Sequence, residues 1–429
     1  MTSEASGTKL STSMKFYTFL LATYAVLLLI RMPDILIKRR FWAEEGEVYF
    51  HNAWNERWYD ALFAVHSGYL NLSASIATLL AAHLVPLEFA PLVSTTFALF
   101  IQLCPVFLLI TGCVEWLRNR VTLTLALLLL LACNNTGEVW LNSITSQFHL
   151  ALCAALILAL PAAGGWLGAF RAGLLVLAPL SGPASIFLTP LFFLRAWLDR
   201  SRARLIQGGL LAAFGVLQVL MVALHPDPGR SVGIGPRLLI LVMYIKHLIE
   251  PLFGRNYAAR VASRLIETVT SGGPVLPEIT ITLIAILAIV ITAWKTADPV
   301  VNWLLAGGAT IMALSYFGSL APHIGLLVVG GGGRYEYAPG VLFGLTLLGI
   351  SKRSEGWVKA ISTVLVIWVI VVGMHDYFRD NRFFGTGSTW TKEISRWRAD
   401  PSYRVQFWPV GGGSWRSQLG DPHLHDGGD

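Results

Sequence analysis

Long apolar runs, nearly free of charge, recur along the whole chain. They fall at 16–37, 91–114, 121–133, 146–160, 166–179, 184–198, 205–224, 275–294, 300–319, 337–350 and 357–374. About 20 such residues in a helix cross the hydrocarbon core of a bilayer. Inside that core each backbone N–H and C=O must find a partner within the protein, which a helix supplies along its own length. Runs of this kind therefore predict a bundle of helices. Composition agrees: of 429 residues, 55% are hydrophobic and 13% charged, against roughly 25% charged in a soluble domain. That balance excludes a soluble enzyme, a disordered chain and a coiled coil. The expected fold is an all-α polytopic membrane protein with a transmembrane helix for each of these eleven runs. Two further runs, 70–86 and 238–253, are ambiguous; loop parity puts 238–253 in the interface or re-entering the membrane, and the reading in which 70–86 does not cross is preferred.

The 32 Lys and Arg outnumber the 25 Asp and Glu. In a membrane chain this excess predicts basic cytoplasmic loops and contact with membrane lipids, with no nucleic acid as partner. Arg118 and Arg120 mark one such loop, Arg195, Arg200, Arg202 and Arg204 a second, and Lys352, Arg353 and Lys359 a third. The opposite, outer face then holds 38–69, 134–145, 181–183, 225–236, 254–274 and 320–336. Lys9 and Lys15 precede the first run, and Arg31-Met32-Pro33-Asp34 follows it in place of a small-residue cleavage site. A retained first helix is expected. The chain divides into a transmembrane domain, 1–375, with its outer loop 38–69, and a soluble tail, 376–429, packed on the outer loops.

The first outer loop begins Phe41-Trp42-Ala43-Glu44-Glu45-Gly46-Glu47 and runs on to His51. Three carboxylates within four positions, next to a low-dielectric boundary, repel one another, which suits a general base. In a helix Glu44, Glu47 and His51 share one face. The competing structural reading is a solvated acidic patch, with Trp42, Trp54 and Trp58 as interface anchors.

A second feature is Gly330-Gly331-Gly332-Gly333-Arg334-Tyr335. It lacks the Lys-Ser/Thr of a nucleotide-binding loop. Successive glycines still let backbone N–H groups approach an anion, and an Arg fork matches phosphate. A snorkelling Arg334 at a helix mouth is the plainer alternative. Glu138, Asn142, Gln147 and His149 form a third group, with the last two just inside an apolar run. Polar groups there pair between helices or face a cavity. Arg230 offers one more cation in a Pro- and Gly-rich loop. The ten His and four Cys show no metal-ligand spacing.

Taken in order, Phe41-Trp42-Ala43-Glu44-Glu45-Gly46, Gly68-Tyr69-Leu70, Gln147-Phe148-His149, Ser181-Gly182-Pro183, Arg334-Tyr335 with Pro339, and Phe407-Trp408-Pro409 resemble bacterial membrane glycosyltransferases of the GT-C superfamily. The branch they are most similar to is that of the O-antigen-modifying glucosyltransferases. The resemblance covers nearly the whole chain. It implies a GT-C-like bundle with juxtamembrane helices in the first outer loop, in the bacterial cytoplasmic membrane, with an active site facing the periplasm. It implies a polyprenyl-phosphate-linked sugar as donor and a cell-envelope glycan or lipid as acceptor. It further implies an acidic residue of the first loop as base. Glu45 stands where the family usually has Asp, so Glu44 and Glu45 both remain candidates, with Glu47 nearby. Arg334, Tyr335 and Arg230 are the expected donor-phosphate residues. Glu138, Asn142, Gln147, His149 and His51 are the expected sugar and acceptor ligands. No cofactor is expected, and a divalent cation is left open. The alternative function is a lipid-linked sugar flippase, although no repeat and few midplane charges support one.

Overall fold

The computed structural model describes residues 3–133, 137–226, 233–319, 323–378, 384–410 and 415–420, the first twelve of these as backbone only. Of the described residues, 77% are helical. Among the described residues, sheet is confined to two short antiparallel ribbons, one pairing Val65–His66 with Tyr69–Leu70 and the other Val405–Gln406 with Arg416–Ser417. The all-α expectation holds. Among the described residues, five helices are long and apolar enough to cross a membrane: Leu87–Ile110, Arg202–Leu224, Leu276–Lys295, Pro299–Phe317 and Gly356–Tyr377. Four shorter apolar helices accompany them: Leu72–His83, Arg120–Ala132, Ser146–Ala159 and Gly165–Ser181.

Helix Ser146–Ala159 is the axis of the bundle, buried at every position. It packs against helices Ala90–Ile110, Gly165–Ser181, Pro299–Phe317 and Tyr337–Arg353. A helix apolar all round belongs in such a core. The outer helices do the reverse. Ile284, Leu287, Ile367 and Val371 on two of them are exposed, as lipid-facing side chains must be.

The C-terminal end of the axial helix has buried carbonyls that neither water nor lipid can satisfy. Three arginines answer them. Arg204 donates Nη1 to Ile157 O at 2.6 Å and Nη2 to Leu160 O. Arg195 donates to Leu158 O, and Arg171 to Pro161 O at 2.5 Å. The same end of the bundle carries Arg353, paired with Asp298 at 2.6 Å and Glu115 at 2.9 Å.

Three boundaries differ from the sequence expectation. Run 16–37 is not one helix. It breaks at Met32 (φ −134°, ψ 65°), and Pro33 opens a separate helix, Pro33–Lys38, because a residue before proline is driven out of the α region. Run 184–198 divides into a 3₁₀ segment, Pro183–Leu188, and helix Thr189–Asp199. Residues 254–274, expected as a loop, are helical as far as Thr270 within Glu250–Thr270, beyond a break at Gly254 (φ 75°, ψ 168°). Buried Ala258, Ala262 and Leu265 lie at helical spacing along that segment.

The tail forms a shared core with the first loop. Trp390 and Ile394 of helix Trp390–Ala399, with Phe407, pack with Phe41, Phe50 and Leu87. Trp408 N–H donates to Phe41 O at 3.0 Å, and Ala43 N–H donates to Trp408 O at 2.6 Å. Arg40 and Glu393 form a buried ion pair at 2.7 Å. These contacts put the tail and the first loop at the same end of the bundle.

Candidate functional site

The turn at Ala43 decides where the acidic side chains go. Ala43 has φ 41°, a left-handed conformation that costs a non-glycine residue about 1–2 kcal/mol. The pairing with Trp408 holds it there. Glu45 N–H donates to Trp42 O at 2.8 Å, and Trp42 N–H donates to Glu45 Oε2 at 3.0 Å. The two consecutive glutamates leave this turn in opposite directions.

Glu45 turns inward and is 3% exposed. Its Oε1 accepts from Ser94 Oγ at 2.6 Å, Ser143 N–H at 2.7 Å and Ser143 Oγ at 2.6 Å. With the Trp42 bond, that is a carboxylate fully committed to local structure. Glu44 turns the other way and lines a cavity of about 260 Å³. No described residue donates a hydrogen bond to its carboxylate.

The cavity gathers residues from several segments of the chain. Glu44 and Tyr49 come from the first loop, and Tyr69 from the Val65–Leu70 hairpin, whose turn places Ser67 (φ 51°) and Gly68 (φ 79°) at positive φ. Thr145 and Gln147 come from the start of the axial helix. Arg334 and Tyr335 come from the glycine-rich turn. Gln218 comes from helix Arg202–Leu224, and its amide exchanges two hydrogen bonds with Leu70, donating to O at 2.8 Å and accepting from N–H at 3.1 Å. The remaining wall is apolar, with Ile186, Phe187, Val219, Val222 and Leu314.

Arg334 is the cation of this cavity. Its nearest carboxylate, Glu138, stands at 3.9 Å, an ion pair but beyond hydrogen-bond reach. Burial lowers its pKa. The phenol of Tyr335, the carboxylate of Glu138, the phenol of Tyr69 and the carboxylate of Glu44 together outweigh that and raise it. Arg334 therefore stays charged with donors to offer. Burial, then Tyr69 and Glu44, push the Tyr49 phenol well above its ordinary value, so Tyr49 remains a protonated donor. Gln147 donates to Tyr69 Oη and Ile144 O, both at 3.3 Å. A Cβ at Gly182 would fall 2.1 Å from Gln147 Oε1, so that glycine makes room for the amide.

The other sequence candidates lie elsewhere. Residues 45–50 form a π-helical turn, whose i→i+5 register breaks the α-helical face expected to join Glu44, Glu47 and His51. Glu47 and His51 instead face the tail. Arg416 N–H approaches Glu47 Oε1 at 3.5 Å, and Ser417 Oγ bonds His51 Nδ1. Asn142 closes its own turn, accepting from Thr145 N–H at 3.1 Å and Oγ1 at 2.7 Å. His149 is fully buried behind the cavity. Its Nε2 bonds Val139 O at 2.9 Å, and its ring lies 4.4 Å from that of Tyr337. Arg230 lies outside the described residues. Among the described residues, no group of three or more His, Cys, Asp or Glu is arranged to hold a metal ion.

Tyr49, Tyr69 and Gln218 carry no site role in the sequence reading, although Tyr69 stands in the Gly68-Tyr69-Leu70 motif of the resemblance; a Gln inside an apolar run is a signal that could have found Gln218. No family model, curated protein or solved structure matches the chain.

Proposed function

We propose that the chain is an inverting glycosyltransferase of the cytoplasmic membrane that takes its sugar from a polyprenyl phosphate. The observation that carries this reading is one cavity lined by Glu44, which accepts no hydrogen bond from a described residue, and by Arg334, whose nearest described carboxylate stands at 3.9 Å. A glycosyl phosphate needs both. In this scheme Arg334 and Tyr335 hold the donor phosphate, Glu138 keeps the guanidinium in place, and the apolar wall takes the first part of the lipid. Gln147 and Tyr69 bind sugar hydroxyls. An acceptor hydroxyl enters from the rim. Glu44 takes its proton as the oxygen bonds the anomeric carbon from the face opposite the phosphate. The anomeric C–O bond breaks as that bond forms, and polyprenyl phosphate leaves with the electron pair. Arg334 stabilises the charge that grows on it. Glu45, held by four hydrogen bonds, anchors the turn that aims Glu44. We place this site on the periplasmic side of a bundle with about eleven crossings, opposite the basic loops.

The deciding experiment uses purified protein in proteoliposomes, polyprenyl-phosphate hexoses and pentoses, and a mixed envelope-glycan acceptor, with release of polyprenyl phosphate as the readout. Glu44→Gln should lower kcat/KM by about 10²–10⁴ without changing thermal stability. Glu45→Gln should lower stability first. Near-normal turnover in Glu44→Gln would remove its role as base. Donor lipid crossing the bilayer with no sugar transferred would turn the assignment to a flippase.

A further inference from the structure

The segment 236–255 enters none of the chemistry above, yet it carries a buried lysine. It consists of helix Pro236–Met243, a π-helical turn Tyr244–Ile249, and the start of helix Glu250–Thr270. Lys246 is 3% exposed. Its Nζ pairs with Glu336 Oε1 at 2.5 Å and also donates to Val328 O at 3.3 Å. Those two partners bracket the glycine-rich loop. Between them, Gly330 (φ 86°) and Gly332 (φ 61°) sit in left-handed conformations, and a Cβ at Gly331 would fall 2.3 Å from Gly325 O. The loop doubles back on itself. Glycine loses more backbone freedom on ordering than any other residue, so four in a row need outside support to hold one shape. The loop's own turns are single i→i+3 bonds, such as Tyr335 N–H to Gly332 O at 3.0 Å.

Segment 236–255 supplies such support. His247 Nε2 bonds Tyr316 Oη at 3.0 Å, fixing the π-helical turn on helix Pro299–Phe317. The Gly254 break lets Arg255 N–H reach Asp376 Oδ2 at 3.1 Å. Arg255 Nη2 lies 3.2 Å from where a Cβ on Gly330 would stand. Arg334 and Tyr335 line the candidate site, while the next residue, Glu336, lines a second, mainly apolar cavity together with Lys246.

We infer that Lys246 is a positioning residue that clamps both ends of the Gly330–Gly333 loop and so fixes Arg334 at the mouth of the cavity. The functional meaning rests on the phosphate role proposed for Arg334, but the clamp can be tested without any donor. The measurement is amide hydrogen exchange of the protein in lipid nanodiscs, wild type against the Lys246→Met/Glu336→Leu double variant. Replacing both members of a buried ion pair by apolar residues of similar size leaves global stability near wild type. A merely structural pair would then leave the loop as protected as before. A clamp would not: exchange over 325–336 should rise by about tenfold or more, while the axial helix stays protected. Unchanged protection of 325–336 would overturn the inference. Should the double variant fold poorly, Glu336→Gln gives the second reading. It keeps side-chain shape and an acceptor, and should raise exchange over the same amides several-fold with none elsewhere; no local rise would again overturn the clamp. Faster local exchange in a protein that transfers no sugar from any donor would uphold the clamp and sink the transferase.

Discussion

The two ends of helix Ser146–Ala159 solve opposite problems with the same kind of side chain. At its C-terminal end, Arg171, Arg195 and Arg204 spend their donors on carbonyls of residues 157–161. At its N-terminal end, Arg334 reaches no described carboxylate closer than 3.9 Å, and Glu44 lines the same cavity. The first set completes the fold. In the function proposed above, the second set is completed by the bound donor. Burial differs between them, with Arg171 and Arg204 1% exposed and the Arg334 side chain 31% exposed, and so does commitment. The adjacent glutamates repeat the lesson at the scale of one turn: Glu45 has four donors and Glu44 has none among the described residues.

Substitutions at each end should break this contrast in different observables. The largest effect is expected for Arg204→Leu. It strands the carbonyls of Ile157 and Leu160, at about 1–3 kcal/mol each, so thermal or denaturant unfolding should show a loss of several kcal/mol. The folded fraction should keep its specific activity; activity lost in well-folded protein would show that this end also serves the site. Arg334→Leu should do the reverse. Its unfolding curve should overlay wild type, while titration with polyprenyl-phosphate sugar shows affinity down about 10- to 100-fold, the worth of a charged hydrogen bond. Donor affinity that stays put would return Arg334 to the rank of a snorkelling residue. The smallest effect is expected for Gly182→Ala. The new methyl would stand 2.1 Å from Gln147 Oε1 and 2.9 Å from its Cβ, so the amide is displaced and a small loss of stability accompanies it. Affinity for the sugar should fall about two- to tenfold, as for one neutral hydrogen bond, and a fall equal to that of Arg334→Leu would mean that the backbone had shifted instead.

Much of the helical frame is legible in the apolar runs. The helices Arg120–Ala132, Ser146–Ala159 and Pro299–Phe317 lie within about two residues of their runs. The failures have local causes. Hydropathy reads through Met32, because Met is apolar on either side of a helix break, and only Pro33 announces the break. Hydropathy also passes over helix Glu250–Thr270, whose outward face is polar while Ala258, Ala262 and Leu265 point inward. At the site, residue type drew attention to Glu44, Glu45, Arg334 and Gln147, and three of these four line the cavity. What sequence could not supply is direction. Nothing in Glu44-Glu45 tells which carboxylate turns inward, because the turn between them depends on Trp408, far along the chain. The partners of Glu45, Ser94 and Ser143, are small hydroxyl residues that occur throughout the sequence, so no pattern marks them in advance.

That dependence on Trp408 has a consequence for biogenesis. The bridge at Phe41–Ala43 and the ring of Phe407, which stands 2.4 Å from where a Cβ on Gly46 would be, join segments from opposite ends of the chain. A ribosome working at about 5–20 residues per second needs roughly 20–70 s to travel from one to the other. Throughout that interval the acidic turn is already outside the ribosome, but its mate does not yet exist. The bundle can insert helix by helix, yet Glu44 has no fixed aim until the last strand has been delivered to the same side. A chain cut short before residue 405 would therefore insert its helices and still lack an aimed Glu44.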